Sequence, residues 1–277
     1  MARGPVMSHS VSSPSLALIG YGAIARDVAN LLLSQAVTEE LHVLRRGDLA
    51  THEDLPAPLK AVADPAALLA LHPALVIEAA GHEAVRQVVP LCLAQGLPVL
   101  ISSVGALHDQ ALFDRLIDLA RSHDTKLILP SGAIGALDYV RAARLAGQVV
   151  ITYESRKSPS AWTEELQARG LTPDSLKEPL ILFEGSARDA AKRYPANLNV
   201  AATLAIAGCG FDETRVRVIT DPALKGNTHT ITVSSDHGRM DICLGNAPSP
   251  ANPKSSWIVG KSVVAAVQNY LSPCMML

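Results

Sequence analysis

Apolar and polar residues along the first half of the chain fall into blocks that switch repeatedly between strand-like and helix-like spacing. The first block, Leu16 to Ile19, ends abruptly in Gly20, Tyr21 and Gly22 and continues into helix formers, so LALIGYGAIA reads as strand, tight turn and helix. From Ala23 to Leu33 the apolar positions Ile24, Val28, Leu31 and Leu32 share one helical face. Further runs predict strands at Leu41–Leu44, Leu75–Glu78, Val99–Ile101 and Lys126–Leu129, with helices at Glu83–Gln95 and His108–His123. Strands alternating with helices at this rhythm imply an α/β unit with a mainly parallel sheet covered on both faces.

Beyond Ala133 the rhythm changes. Helical spacing at Gly135–Ala146, Ala187–Tyr194 and Leu198–Ala207 is interleaved with strand-like runs at Gln148–Ser155, Leu180–Glu184, Arg215–Thr220, His229–Ser235 and Met240–Leu244. Residues 16–133 are therefore expected to form a Rossmann-type domain, and 134–251 a second α+β domain on a mainly antiparallel sheet. Arg156, Lys157, Ser158 and Pro159 read as a cationic loop between strands. Residues 252–277, helical over Ser255–Tyr270, are expected to pack back onto the first domain. Residues 1–15 read as a disordered leader, with Met7 as an alternative start.

Composition narrows the function classes. At 277 residues there is material for two domains, and 24 basic against 26 acidic residues leave a formal charge of −2. That balance does not favour nucleic acid or an acidic membrane surface, so a small-molecule ligand is expected. Four cysteines without CxxC spacing suggest neither a zinc site nor a disulfide framework. No segment has the length and apolarity of a membrane span, and a cytoplasmic location is expected.

The glycine turn carries the first chemistry. Gly20 permits the sharp exit from the strand, Gly22 lets a pyrophosphate approach the backbone, and Ala25 is small enough for the helix to pack on the strand. Phosphates would sit on amide groups at the helix start, among them those of Ala23 and Ile24. At the end of the second strand Arg45 lies close to the position that contacts the adenosine ribose, where a guanidinium suits the 2′-phosphate of NADP. Alternatively Arg45 and Arg46 are solvated and Asp48 takes the ribose of NAD; both stay open. Small residues follow the later strands, with Ala80 and Gly81 after one, Ser103 after the next and Ala133 after the last, as close packing around a flat cofactor requires, although tight βα turns alone would also select them.

Two stretches of the second half suit a substrate cleft. In YPANLNVAA, Asn197 and Asn199 precede a very apolar helix, as caps or as hydrogen-bonding partners for a carboxamide or a substrate. In KGNTHTI, His229 enters a β-branched strand, and imidazole is the side chain most readily tuned for proton exchange near neutrality. His82, at a strand end, and His237, in a hairpin turn, compete with it; His237 ranks last because Asp236–Gly238 is ordinary turn chemistry.

GYGAIA at Gly20–Ala25, EAAGHEAVR at Glu78–Arg86, SSVGAL at Ser102–Leu107, PSGAIGALD at Pro130–Asp138 and YPANLNVAATLA at Tyr194–Ala205 together resemble the L-aspartate dehydrogenase family. GNTHTI at Gly226–Ile231 and NPKSS at Asn252–Ser256 extend the resemblance over nearly the whole chain from Leu16. It implies oxidative deamination of L-aspartate with NAD or NADP, giving iminoaspartate and then oxaloacetate and ammonia, with a supply of iminoaspartate to NAD biosynthesis. It places the catalytic histidine on His229 and cofactor contacts on Ala133 and Asn199. A substrate with two carboxylates needs cations or several donors; Arg156, Lys157, Lys225 and Lys254 are candidates, with Asn197 and Thr228 as neutral helpers. A homodimer paired through the second sheet is expected. The competing readings are a reductase of the dihydrodipicolinate type, which calls for a dense basic, histidine-rich motif, and a non-catalytic pyridine-nucleotide sensor.

Overall fold

The computed structural model describes residues 13–45, 55–194 and 199–276. Its first half runs β1 (Leu16–Ile19), α1 (Ala23–Ser34), β2 (Leu41–Leu44), β3 (Leu59–Val62), α2 (Pro65–Ala70), β4 (Leu75–Glu78), α3 (His82–Gln87), α4 (Val89–Ala94), β5 (Val99–Ile101), α5 (Gln110–Ser122) and β6 (Leu127–Ile128). The six strands form one sheet in the order β3-β2-β1-β4-β5-β6, every pair parallel. β1, β2 and β4 are buried at every position, which is why they read as continuous apolar runs rather than alternating ones. Strand order reverses between β1 and β4, so the crevice beyond their carboxyl ends is the topological switch point of the sheet.

The second half runs α6 (Leu137–Leu145), β7 (Val149–Lys157), α7 (Thr163–Gln167), β8 (Leu180–Ser186), α8 (Ala187–Arg193), α9 (Asn199–Ala207), β9 (Arg215–Thr220), β10 (Asn227–Ser235), β11 (Gly238–Asn246), β12 (Pro248–Ser249), β13 (Asn252–Ser256) and α10 (Ile258–Leu271). Five of its strands form a mixed sheet in the order β11-β10-β7-β9-β8, antiparallel except for the β7–β9 pair. Its inward face carries Ile151 and Tyr153 of β7, Val216 and Val218 of β9, and Ile231 and Val233 of β10, all buried in one core with α6, α8 and α9.

Helix α10 returns to the first sheet. Val263, Val264 and Val267 bury against Ala25, Val28, Ala29 and Leu32 of α1, and Lys261 Nζ donates to both carboxylate oxygens of Asp27 at 2.8 Å. Burial of each such aliphatic side chain contributes on the order of 1.5–3 kcal/mol.

Four differences from the sequence reading have local causes. The expected helix Glu83–Gln95 is two helices that break at Val88, because Pro90 has no N–H to give and its ring disfavours continuation. β3 and α2 escape the apolar pattern, since β3 is half exposed; Asp64 caps α2 through the N–H of Ala67 at 2.8 Å, and Pro65 starts the helix. β6 has only two residues, where Lys126–Leu129 is the expected span. Arg156 and Lys157 are not a loop: β7 continues through both.

Candidate active site

At the glycine turn the backbone does the work. Gly20 has φ +93°, and a Cβ there would stand 2.7 Å from Cα and Cβ of Ala80, so only glycine lets the β1 and β4 ends approach this closely. At Gly22 the opposite holds, since a Cβ would meet nothing within 4 Å. Gly22 is also the N-cap of α1 and brings no side-chain cap, so the helix start, including Ala23 and Ile24, presents backbone amides to open space. Ala25 is fully buried. This is a cradle that fits a dinucleotide pyrophosphate. Beside it, the guanidinium carbons of Arg26 and Arg45 lie 5.6 and 5.7 Å from the ring centroid of Tyr21, and Arg26 Nε donates to Tyr21 O at 3.1 Å. Arg46 and Asp48 lie outside the described residues.

The loops after β4 and β5 are tied together by a residue that sequence reading does not assign a role. Glu78, buried at the end of β4, accepts N–H groups from Ala80 (2.8 Å), Gly81 (2.7 Å) and Ser103 (3.1 Å) and the Ser103 hydroxyl (3.0 Å). Burial pushes its carboxyl pKa up, while the donors of Gly81, Ala80 and Ser103 oppose that rise. The legible signal is an acidic residue closing the apolar run LVIE. The loop after β6 is braced by α10 and β11: the Gly132 N–H donates to Ser262 Oγ of α10 at 2.8 Å, and Asn246 Nδ2 of β11 donates to Ala133 O at 2.8 Å.

His229 comes from the other side. β10 and β7 pair with His229 opposite Ser155, so strand alternation turns His229, Ser155 and the diagonal neighbours Tyr153 and Lys157 to the same inward face. His229 is 4% exposed. Its Nδ1 lies 2.7 Å from Tyr153 Oη and its Nε2 3.5 Å from Ser256 Oγ, which also accepts from Asn227 Nδ2 at 3.1 Å. Burial first, and then the charge of Lys157, lower the His229 pKa to about 4, so the imidazole is neutral at pH 7. Burial raises the Tyr153 phenol, which stays protonated.

A cleft of about 100 Å³ lies where the two sides meet, lined by Ile24 of α1, by Ser102 and Ala133 of the loops after β5 and β6, by His229 and Lys157 of the second sheet and by Ser256 of β13. Asn199, the first residue of α9, lines it too, and its Oδ1 accepts the Gly105 N–H at 2.9 Å. With that oxygen engaged, its NH₂ group is what it can offer a ligand. A larger cavity of about 820 Å³ lies at the opposite end of the second sheet, among Val149, Val150, Gly210 and Arg215. It carries none of the residues just described.

The structure separates the remaining candidates. Thr228 sits on the outward face of β10, and Lys225 is exposed in the preceding loop; neither lines the cleft. Arg156 is bound to Glu154 at 2.5 Å and to Asp221 at 3.2 Å, on the sheet face away from the inward Lys157. His82 heads α3, with its ring centroid 6.5 Å from that of His108, and His237 is exposed in the β10–β11 turn. Asn197 and the side chain of Lys254 lie outside the described residues. Among the described residues no three His, Cys, Asp or Glu side chains are grouped to hold a metal ion, and no helix is long and apolar enough to cross a membrane.

Two family models divide the chain at the boundary between the sheets: "Homoserine dehydrogenase, NAD binding domain" matches residues 20–130, and "Aspartate dehydrogenase, C-terminal" matches residues 138–270. The chain is 46% identical to L-aspartate dehydrogenase 2 of Bordetella bronchiseptica over 93% of its own length and 97% of the relative's. It is 37% identical to the L-aspartate dehydrogenase of Methanosarcina barkeri, again over 93% and 97%. Among solved structures, aspartate dehydrogenase from Thermotoga maritima superposes with a TM-score of 0.73 at 23% identity, covering 95% of this chain and 99% of that one.

Proposed function

Because the chain belongs to the L-aspartate dehydrogenase family, we propose that it oxidatively deaminates L-aspartate with NAD or NADP, using His229 as the proton acceptor. The observation that supports this most is the position of His229, a buried neutral imidazole on a cleft that Ala133 and Asn199 also line. The nicotinamide, when bound, supplies the acceptor for the hydride that leaves the substrate α-carbon. The backbone at Gly20, Gly22, Ala23 and Ile24 would hold the pyrophosphate, and Ala80, Gly81 and Ser103, fixed by Glu78, would line its path to the cleft. Arg45, stacked on Tyr21, is the group we assign to a 2′-phosphate.

The substrate amine must be neutral before hydride leaves, so a base must take a proton from the ammonium. With Nδ1–H donating to Tyr153 Oη, His229 Nε2 keeps its lone pair for that proton. An imidazole at about 4 is a weak base; entry of a dicarboxylate offsets the Lys157 charge, the smaller of the two causes, and so raises it, while burial continues to hold it down. Once it has released that proton to solvent, the same nitrogen can take a proton from the water that adds to the iminium carbon, and the carbinolamine so formed expels ammonia to leave oxaloacetate. Iminoaspartate released before that addition is the product we assign to pyridine-nucleotide synthesis.

We place the working enzyme in the cytosol as a homodimer, each subunit built of a dinucleotide-binding domain, residues 16–133, and a substrate and dimerisation domain, residues 134–251. Four free cysteines, of which Cys92 is buried, agree with a reducing compartment. Val150 and Ile181 remain exposed on strands of the second sheet, and sedimentation analysis tests the pairing. For the reaction, the decisive measurement is absorbance at the nicotinamide band with NAD or NADP and a panel of amino acids. L-aspartate-dependent reduction is expected; cofactor binding without it would indicate a sensor and sink the enzyme reading.

A further inference from the structure

The cleft has to compensate two carboxylates, and strand geometry leaves one described cation in position to do so. Arg156 and Lys157 are neighbours in sequence, but alternation along β7 sends them to opposite faces of the sheet. Arg156 is held by Glu154 and Asp221, whereas Lys157 turns inward, 4% exposed, with its Nζ 5.7 Å from the ring centroid of Trp162. The backbone fixes that placement, because Lys157 O accepts the Asp221 N–H at 2.9 Å and Lys157 pairs with Thr220 of β9. Among the described residues lining the cleft, Lys157 is the cation and none is a carboxylate.

We propose that Lys157 binds a carboxylate of the substrate and thereby holds its amine-bearing carbon against His229. The inference rests on the L-aspartate reading above. A buried ammonium and a desolvated carboxylate each lose hydration, and pairing the two in a water-poor cleft offsets both losses. The aromatic face of Trp162 steadies the lysine head at the cleft wall. Lys157 also acts on the base. Among the described residues facing His229, the titratable ones are Tyr153 and Lys157 on β7. α9, the loop after β6 and β13 contribute Asn199, Thr203, Ser131 and Ser256, which do not titrate. Binding an anion at Lys157 therefore couples substrate capture to proton acceptance.

The test uses the cofactor-loaded full chain with Lys157→Met, which keeps the length of the stem over Trp162. Calorimetry with succinate, a dicarboxylate without an amine, is expected to show affinity falling roughly a hundredfold, and the KM for L-aspartate rising by a similar factor. NADPH affinity should stay within about twofold, and the acid limb of the pH–rate profile should move to higher pH as His229 loses a neighbouring charge. Wild-type succinate affinity and KM in a Lys157→Met protein that binds NADPH would overturn the proposal. If that variant does not fold, Lys157→Gln carries the same expectation and the same refutation. Wild-type protein that binds succinate through Lys157 yet does not oxidise L-aspartate would refute the reaction and leave the carboxylate site standing.

Discussion

The carboxyl ends of the parallel strands and the inward end of the second sheet face one cleft but are built in contrasting ways. On the first side the residues proposed to meet the cofactor offer backbone, with side chains small or absent: Gly20, Gly22, Ala80, Gly81, Ala133. The one large polar side chain there, Glu78, points back into the loops and spends its acceptors on them. On the second side the backbone is locked in β pairing, and the buried polar side chains Lys157 and His229 do the facing, with Tyr153 holding His229 Nδ1. A long dinucleotide is held through many weak, shape-dependent contacts, which need close approach. A proton transfer needs one side chain with a tuned pKa, which needs burial and a fixed partner.

That contrast can be broken most sharply at His229. Replacement by Ala is expected to lower kcat by about 10²–10⁴-fold while leaving cofactor affinity within about twofold, as read by nicotinamide absorbance and fluorescence titration. Near-normal turnover would remove it from the mechanism. The same residue should shape acid stability. With a folded pKa of about 4 against 6.5 for the ordinary imidazole, the unfolded chain binds the extra proton between those values. Stability is therefore full above pH 6.5 and falls as pH drops to about 4, by about 3 kcal/mol from this group. Urea unfolding at pH 7 and pH 4.5 measures it, and His229→Asn should flatten the difference.

The turn tests the other side. Gly20→Ala forces a Cβ into Ala80 at positive φ and should cost about 1–3 kcal/mol of stability, seen as a lower Tm. Gly22→Ala meets no atom of the protein, so stability should hold within about 0.5 kcal/mol while cofactor affinity falls at least about tenfold. Equal behaviour of the two variants would mean that the space at Gly22 is not a phosphate seat. The smallest effect is expected at Arg45→Asp, which should shift the ratio of NADP to NAD efficiency by about tenfold, near 1.4 kcal/mol, toward NAD. An unchanged ratio would reject a 2′-phosphate contact at Arg45.

Much of this was legible in order along the chain. Continuous apolar runs marked the parallel strands because both of their faces are covered, and GYGAIA marked the turn because only small residues satisfy its steric demands. Where a residue breaks the local pattern the reading slipped: Pro90 split one helix, and the half-exposed β3 did not look like a strand. Lys157 shows the limit most clearly. RKSP looks like a basic loop, and nothing in its composition says that β7 runs two residues further.

From the sequence alone came most of the strands and helices in their order, the glycine turn, the family and the histidine to single out. Those depend on neighbours a few residues apart or on motifs of fixed spacing. Only the tertiary structure decided which polar residues meet. Register between β7 and β10 turned Lys157, Tyr153 and His229 inward and Thr228 and Arg156 outward. Packing across the two sheets brought Ala133, Asn199 and His229 to one cleft. A side-chain period of two makes facing depend on a pairing that joins residues 76 positions apart, as between Tyr153 and His229. No local signal carries that pairing, because it is set by which strands the whole core can bury together.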